Sequence, residues 1–196
     1  MRGRLSSLCF CLFVSTLGLD ASAASLSQQR QYYDQAKQAL AKGDSGPYRR
    51  YYNALRDYPL EPYLAYDDLT HRLKSASNQE VEKFLAEHGD LPQISWMKLR
   101  WLRLLAARGD WQTFISYYDP KMNFTELDCL FGQYQLRNDL PGADATAERL
   151  WLVGKSQHNA CDPLFELWDI KGLLTEERRW KRTKLAVESG NYGVAS

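Results

Sequence analysis

The sequence predicts an all-α chain: an α-solenoid, a superhelical stack of about ten helices arranged as antiparallel pairs. Three observations carry this. No stretch alternates polar and apolar residues with β-branched enrichment, as a half-buried strand does. Valine and isoleucine are scarce, while Ala, Leu, Gln, Arg and Glu, all good helix formers, are common. Similar helix ends recur at Ala41-Lys42-Gly43-Asp44, Glu87-His88-Gly89-Asp90, Ala107-Arg108-Gly109-Asp110 and Ser189-Gly190-Asn191. In each, the glycine supplies a left-handed terminal conformation and the following Asp or Asn caps the next helix. Links this short join antiparallel pairs, which stack into a curved array more readily than into a compact bundle. The spacings are unequal, so the array is not a strict repeat.

The first helix is expected from about Ser27 to Lys42, closed by Gly43, and the second from near Pro47 to just before Pro59. The third starts at Pro62 and reaches about Lys74. Ser77 and Glu80 form a capping box for a fourth helix, Asn78 to His88, ending at Gly89. The fifth follows Pro92, ends at Gly109 and buries Leu99, Leu102, Leu105 and Ala106. A short sixth covers about Asp110 to Tyr118, before Pro120. Thr125 with Asp128 is expected to cap the seventh, whose stripe is Leu127, Leu130, Phe131 and Tyr134. The eighth, about Ala143 to Val153, turns Ala143, Ala147, Leu150 and Trp151 to one side. Asp162 as N-cap and Pro163 as first residue open the ninth, with Leu164, Leu167 and Trp168 on one face. The tenth begins near Thr175 and stops at Gly190. Residues 190–196 then look like a turn and the first residues of another helix, with no polar closing helix after them. That is the pattern of a solenoid truncated before a further domain.

The chain opens like a secretory signal peptide, residues 1–23. Arg2 and Arg4 precede an apolar run from Leu5 to Leu19, and Ala21-Ser22-Ala23 offers a cleavage site. The run is short for a membrane span. Cys9 and Cys11 lie inside it, which disfavours a lipoprotein anchor. Cleavage leaves residues 24–196 as the amino-terminal part of an α-superhelical domain. It removes two cations and one carboxylate from 25 and 24, leaving 23 of each. A neutral chain lacks the electrostatic footprint of a nucleic-acid binder. The 44% apolar content agrees with a folded protein.

Two stretches carry a resemblance. One is Gly154-Lys155-Ser156 followed by Ala160-Cys161-Asp162 and Leu164-Phe165. The other is Tyr58-Pro59-Leu60-Glu61-Pro62-Tyr63-Leu64. Together they make the chain, from about Gln29 to its last residue, similar to the amino-terminal domain of the soluble lytic murein transglycosylases. The resemblance implies a periplasmic protein whose helices begin a long superhelical ring. It implies peptidoglycan glycan strands as partner of the full-length enzyme, which cleaves the MurNAc–GlcNAc bond to a 1,6-anhydro sugar. It also implies a carboxyl-terminal catalytic domain on the same chain. Neither stretch is a catalytic signature.

After cleavage two cysteines remain, Cys129 and Cys161, 32 positions apart. Export places them in an oxidising compartment, where a pair of thiols bonds. Two unpaired buried thiols are the alternative. Closing such a loop is worth roughly 3–4 kcal/mol of unfolded-state entropy.

Other chemistry is sparse. His71, His88 and His158 are far apart and have no ligand spacing, so no metal site is assigned. No phosphate loop, dinucleotide fingerprint or nucleophile elbow appears, so no cofactor is assigned. A glycoside general acid needs an apolar pocket. Glu166 falls off the Leu164–Leu167–Trp168 face and is expected in solvent. Glu188-Ser189 has the letters of the family's catalytic Glu-Ser but precedes a helix-ending glycine without the surrounding pattern. No catalytic residue is assigned. Most tryptophans are expected in the core, and one of each pair Tyr32-Tyr33 and Tyr51-Tyr52 faces outward. The basic run from Arg178 to Lys184 is expected as a solvated face after Glu176-Glu177. A scaffold segment of a transglycosylase, itself inactive, is the functional expectation. An exported α-solenoid adaptor that grips a protein or peptide is the alternative.

Overall fold

The structure, a computed structural model, describes residues 25–55 and 57–195. The expected signal peptide lies outside them. The described residues are all-α, with no strand among them and no helix long and apolar enough to cross a membrane. They form two compact units that divide between Asp68 and Leu69.

In the first unit, α1 (Leu26–Lys42) pairs with α2 (Ser45–Tyr52). Ser25 caps α1 by accepting from the Gln28 amide at 3.2 Å. Gly43, at φ 75°, ends it, and the Gly43 and Asp44 amides return to the Leu40 and Ala39 carbonyls. Tyrosines fill the seam. Tyr32 stacks on Tyr51, Tyr33 tilts against Tyr58, and Tyr48 stacks on Tyr52. Tyr32, Tyr33, Tyr51 and Tyr52 are all half-buried against a core of Ala36, Ala39, Tyr48, Leu55, Tyr58 and Leu64. The expected outward-facing member of each pair is therefore absent. Small alanines on α1 let both rings of a pair lie partly along the seam.

The second helix stops six residues earlier than the distance to Pro59 predicts. Leu55 and Tyr58 are both buried, and their spacing from Tyr48 continues its helical face, so periodicity alone does not show the break. The chain turns at Asn53-Ala54 and takes φ 51° at Asp57. It then enters α3 (Glu61–His71), which gives way to a turn short of Lys74, with Leu73 and Ala76 still buried beyond it. The Ser75 hydroxyl, bonded to the Arg72 carbonyl at 2.9 Å, holds that turn.

The second unit continues with α4 (Asn78–His88), α5 (Ile94–Arg108), α6 (Trp111–Tyr117), α7 (Thr125–Arg137), α8 (Ala143–Trp151), α9 (Asp162–Ile170), α10 (Glu176–Glu188) and a single turn, α11 (Tyr192–Ala195). Mostly neighbours pack on neighbours: α5 on α6, α7 on α8, α8 on α9, with α9 also on α7. This is the helix-pair logic read from the sequence. Ser77 caps α4, but the Glu80 carboxylate pairs with Arg72 at 2.6 Å. Gly109 and Gly190 end their helices left-handed, as expected. Gly89 does not: its φ is −65°, and the chain passes straight into the turn before Pro92.

Helix α7 departs most from its expected pattern. Phe124, not a hydroxyl residue, precedes it, and Thr125 is its first helical residue with no side-chain cap bond. Leu127, Asp128, Cys129, Gly132, Gln133, Gln135 and Leu136 are all buried. A helix enclosed on several sides shows no single apolar stripe. At Gly132 an added Cβ would lie 3.1 Å from the Leu164 methyls, so glycine lets α7 and α9 approach closely. Similarly, α9 is entered through a 3₁₀ turn, Asn159–Cys161. Asp162 is its first helical residue and not its cap.

Candidate functional site

The Gly154–Phe165 stretch lies where four helices meet. Cys129 of α7 and Cys161, ahead of α9, form a disulfide with Cα atoms 4.9 Å apart, both fully buried. Gln133, one turn after Cys129, donates to the Ala160 carbonyl at 2.8 Å. His158 takes the Ala160 amide on Nδ1 at 3.1 Å, so its imidazole shapes the turn. Its Nε2 lies 3.6 Å from Glu126, which also pairs with Arg103 of α5. Gly154 rests against the last turn of α10. A Cβ there would lie 2.5 Å from the Leu185 carbonyl oxygen. Asn191 donates to the Gly154 carbonyl at 2.6 Å.

Arg178 organises the other side of this junction. Asp144 and Glu148 lie one turn apart on α8 and face the first turn of α10. Arg178 meets Asp144 through both terminal nitrogens at 2.8 Å, Glu148 through Nε and Nη2 at 3.2 and 3.3 Å, and the Leu173 carbonyl at 2.5 Å. All five guanidinium donors are used. Trp168 of α9 donates its indole N–H to Asp144 at 2.8 Å. Arg182, one turn on, lies 4.1 Å from the Trp151 ring centre and 5.6 Å from that of Phe165. The expected solvated basic run is thus split. Arg178 and Arg182 turn inward because carboxylates and aromatic faces await them, while Lys181 and Lys184 stay out on Glu177 and Glu188.

Among the described residues, hollows also lie away from this junction. In the first unit Tyr52, Asn53, Asp57, Tyr58 and Glu61 line one of about 670 Å³, built largely by the Tyr58–Leu64 stretch. The Tyr52 hydroxyl donates to Glu61 on its wall. In the second unit the end of α3 and the outer face of α5 enclose about 540 Å³.

Among the described residues, the carboxylates that shift clearly, Glu80, Asp110, Asp144 and Glu177, shift down. Hydrogen bonds from Arg178, helped by Trp168, hold Asp144 low, and those from Arg72 hold Glu80 low. Burial opposes the same effect at Asp110, but hydrogen bonds from Thr113 and Asn78 outweigh it. Lys181 lowers Glu177. This is opposite to what a glycoside general acid needs. Burial, then a hydrogen bond to Asp128 at 2.6 Å, pushes the Tyr118 hydroxyl well up. Glu166 is exposed, as expected from its helical phase. No cluster of three or more potential metal ligands occurs among the described residues.

No family model matches the chain. The soluble lytic murein transglycosylase of Escherichia coli strain K12 is 34% identical over 195 residues, 98% of this chain and 30% of that protein. The Salmonella typhimurium protein of the same name is 34% identical over 90% of this chain. The chain is homologous to the soluble lytic murein transglycosylases. Solved structures agree. Lytic transglycosylase Slt of Pseudomonas aeruginosa, in an inactive mutant form, matches at 71% identity and a TM-score of 0.81, over 84% of this chain and 27% of that one. The 70 kDa soluble lytic transglycosylase of E. coli matches at 33% identity and a TM-score of 0.80, over 88% and 28%. The chain therefore spans about 30% of the length of the transglycosylases it matches.

Reading the sequence found the cysteines, the Gly154 loop and the outward Glu166 but missed Arg178, Asp144 and Glu148. The one available signal was that Asp144 and Glu148 stand four residues apart on a short helix. Trp101 and Trp168 are buried, as expected, whereas Trp96 and Trp180 are 58% and 68% exposed.

Proposed function

We propose that this chain is the amino-terminal helical scaffold of a periplasmic soluble lytic murein transglycosylase. It holds and orients peptidoglycan strands for a carboxyl-terminal catalytic domain of the same protein. The whole protein, on this reading, cleaves the MurNAc–GlcNAc bond and leaves a 1,6-anhydro sugar, while this segment does not cut. Export through the leader at residues 1–23 brings it to the wall.

The observation that carries the reading is the 71% identity to lytic transglycosylase Slt of P. aeruginosa across 84% of this chain. The interior supports a holding role. The charged side chains Arg178, Asp144 and Glu148 are spent on one another, and a disulfide pins the junction beside them. Such groups fix a shape.

Sedimentation with purified murein sacculi tests the reading. The chain is expected in the pellet, and to leave it when soluble glycan strands compete. A chain that stays in the supernatant at low salt overturns the holding role.

A further inference from the structure

We propose that the hollow between the end of α3 and α5 binds the free carboxylate of a short peptide with small apolar side chains. On the murein reading above, on which the identity of the natural ligand rests, that peptide is the stem of a muropeptide.

The hollow has three properties that fit such a ligand. First, its rim is cationic. Arg100 and Arg103 project from α5 and Lys74 from the turn opposite, and no carboxylate lines it among the described residues. Arg103 is already paired with Glu126. No carboxylate pairs with Lys74 or Arg100 among the described residues. Their positive charges remain for an anion, and Arg100 offers the planar fork that a carboxylate matches.

Second, its floor is apolar. Leu73 is buried and Leu104 half-buried. Residues 100, 103, 104 and 107 are spaced as one face of α5, so charged tips stand over an aliphatic base. Small aliphatic side chains suit that base, and a hollow of about 540 Å³ has room for a short peptide backbone beside them.

Third, the wall holds an orphan. The Thr70 hydroxyl is shielded from water and has no hydrogen-bond partner. A buried hydroxyl left unpaired is costly, so a ligand that supplies an acceptor or donor there gains more than one that does not. The two walls are tied together independently of any ligand. Arg108, the last residue of α5, donates to the Lys74 carbonyl at 2.5 Å. The site is thus built before anything enters it.

Titration calorimetry at low salt tests this with three probes: a disaccharide–tetrapeptide muropeptide, its form amidated at the peptide carboxyl, and the disaccharide without peptide. The chain binds the first. Amidation, or the double variant Lys74→Gln/Arg100→Gln, weakens that binding about tenfold, and amidation costs little more in the double variant. The stem-less disaccharide is indifferent to the variant. Both side chains are exposed, so unfolding midpoints stay unchanged and report folding. Equal binding of acid and amide by the unaltered chain, or no loss in the double variant, overturns the proposal. Sacculus sedimentation separates the two readings. Carboxylate-dependent binding by a chain that does not sediment upholds the hollow and removes murein as its natural ligand. Sedimentation without carboxylate-dependent binding upholds the scaffold and removes the hollow.

Discussion

The Arg178 guanidinium lies 4.8 Å from the centre of the Trp168 ring, and the same Trp168 donates its indole N–H to the Asp144 carboxylate that Arg178 grips. Three helices are thereby joined through one carboxylate. Arg178 is 18% exposed, while Asp144 and Glu148 keep 47% and 34% of their side-chain surface in contact with solvent. Solvent screening therefore discounts the value of a fully buried pair. Arg178→Ala is expected to destabilise the chain by about 1–3 kcal/mol, read by urea unfolding. Arg178→Lys recovers only part of this, because an ammonium cannot use both carboxylates as a fork. A loss of stability no larger than that of Lys184→Ala contradicts the role given to Arg178.

The same carboxylate sets a pH dependence. Arg178, then Trp168, holds the Asp144 carboxyl below its ordinary range. The folded state thus favours the ionised form. Its contribution is complete above the ordinary carboxylate value and is lost as pH falls through about 4 towards the lower native value. Thermal unfolding from pH 7 to pH 3 is expected to show the unaltered chain losing more stability than Asp144→Asn, with the gap between them narrowing towards pH 3. A gap that stays constant contradicts this linkage.

Reduction of the Cys129–Cys161 bridge, or the pair of changes Cys129→Ser and Cys161→Ser, is expected to lower stability by about 3–4 kcal/mol. Mass spectrometry of an unreduced digest should find residues 129 and 161 in one linked pair of peptides. Two free thiols in protein recovered from an oxidising compartment contradict it.

Gly154→Ala places a Cβ 2.5 Å from the Leu185 carbonyl oxygen. The Ser189 hydroxyl can rotate away, but the Leu185 backbone within α10 cannot. The change should cost about 1–3 kcal/mol and speed amide exchange at Asn191, whose side chain holds the Gly154 carbonyl. By comparison, Gly46→Ala meets nothing within 4 Å and should be close to neutral. Equal effects of the two would contradict the tight contact.

Much of the fold was legible because local signals and packing agree. Ser77, Asp110 and Thr175 cap where hydroxyl or carboxylate residues precede apolar periodicity. Gly43, Gly109 and Gly190 end helices where left-handed backbone is required. Errors fell where tertiary contacts overrode local preference. The left-handed backbone at Asp57 breaks a periodicity that Tyr48, Leu55 and Tyr58 would continue, and burial on several sides erased the stripe of α7. The Arg178 network was not legible at all. A cation in a first helical turn beside Glu176-Glu177 reads as surface, and only α8, 30 and 34 residues earlier, reveals otherwise. The hollow at α3 and α5 was hidden for the same reason. Lys74 and Arg100 share a rim that no sequence spacing shows.

A murein zymogram bears most directly on the proposal that this chain holds murein and does not cut it. The chain's lane is expected to stay opaque while a full-length lytic transglycosylase clears its own lane alongside. A cleared band at the chain's position, with 1,6-anhydro products eluted from it, would contradict that division of labour.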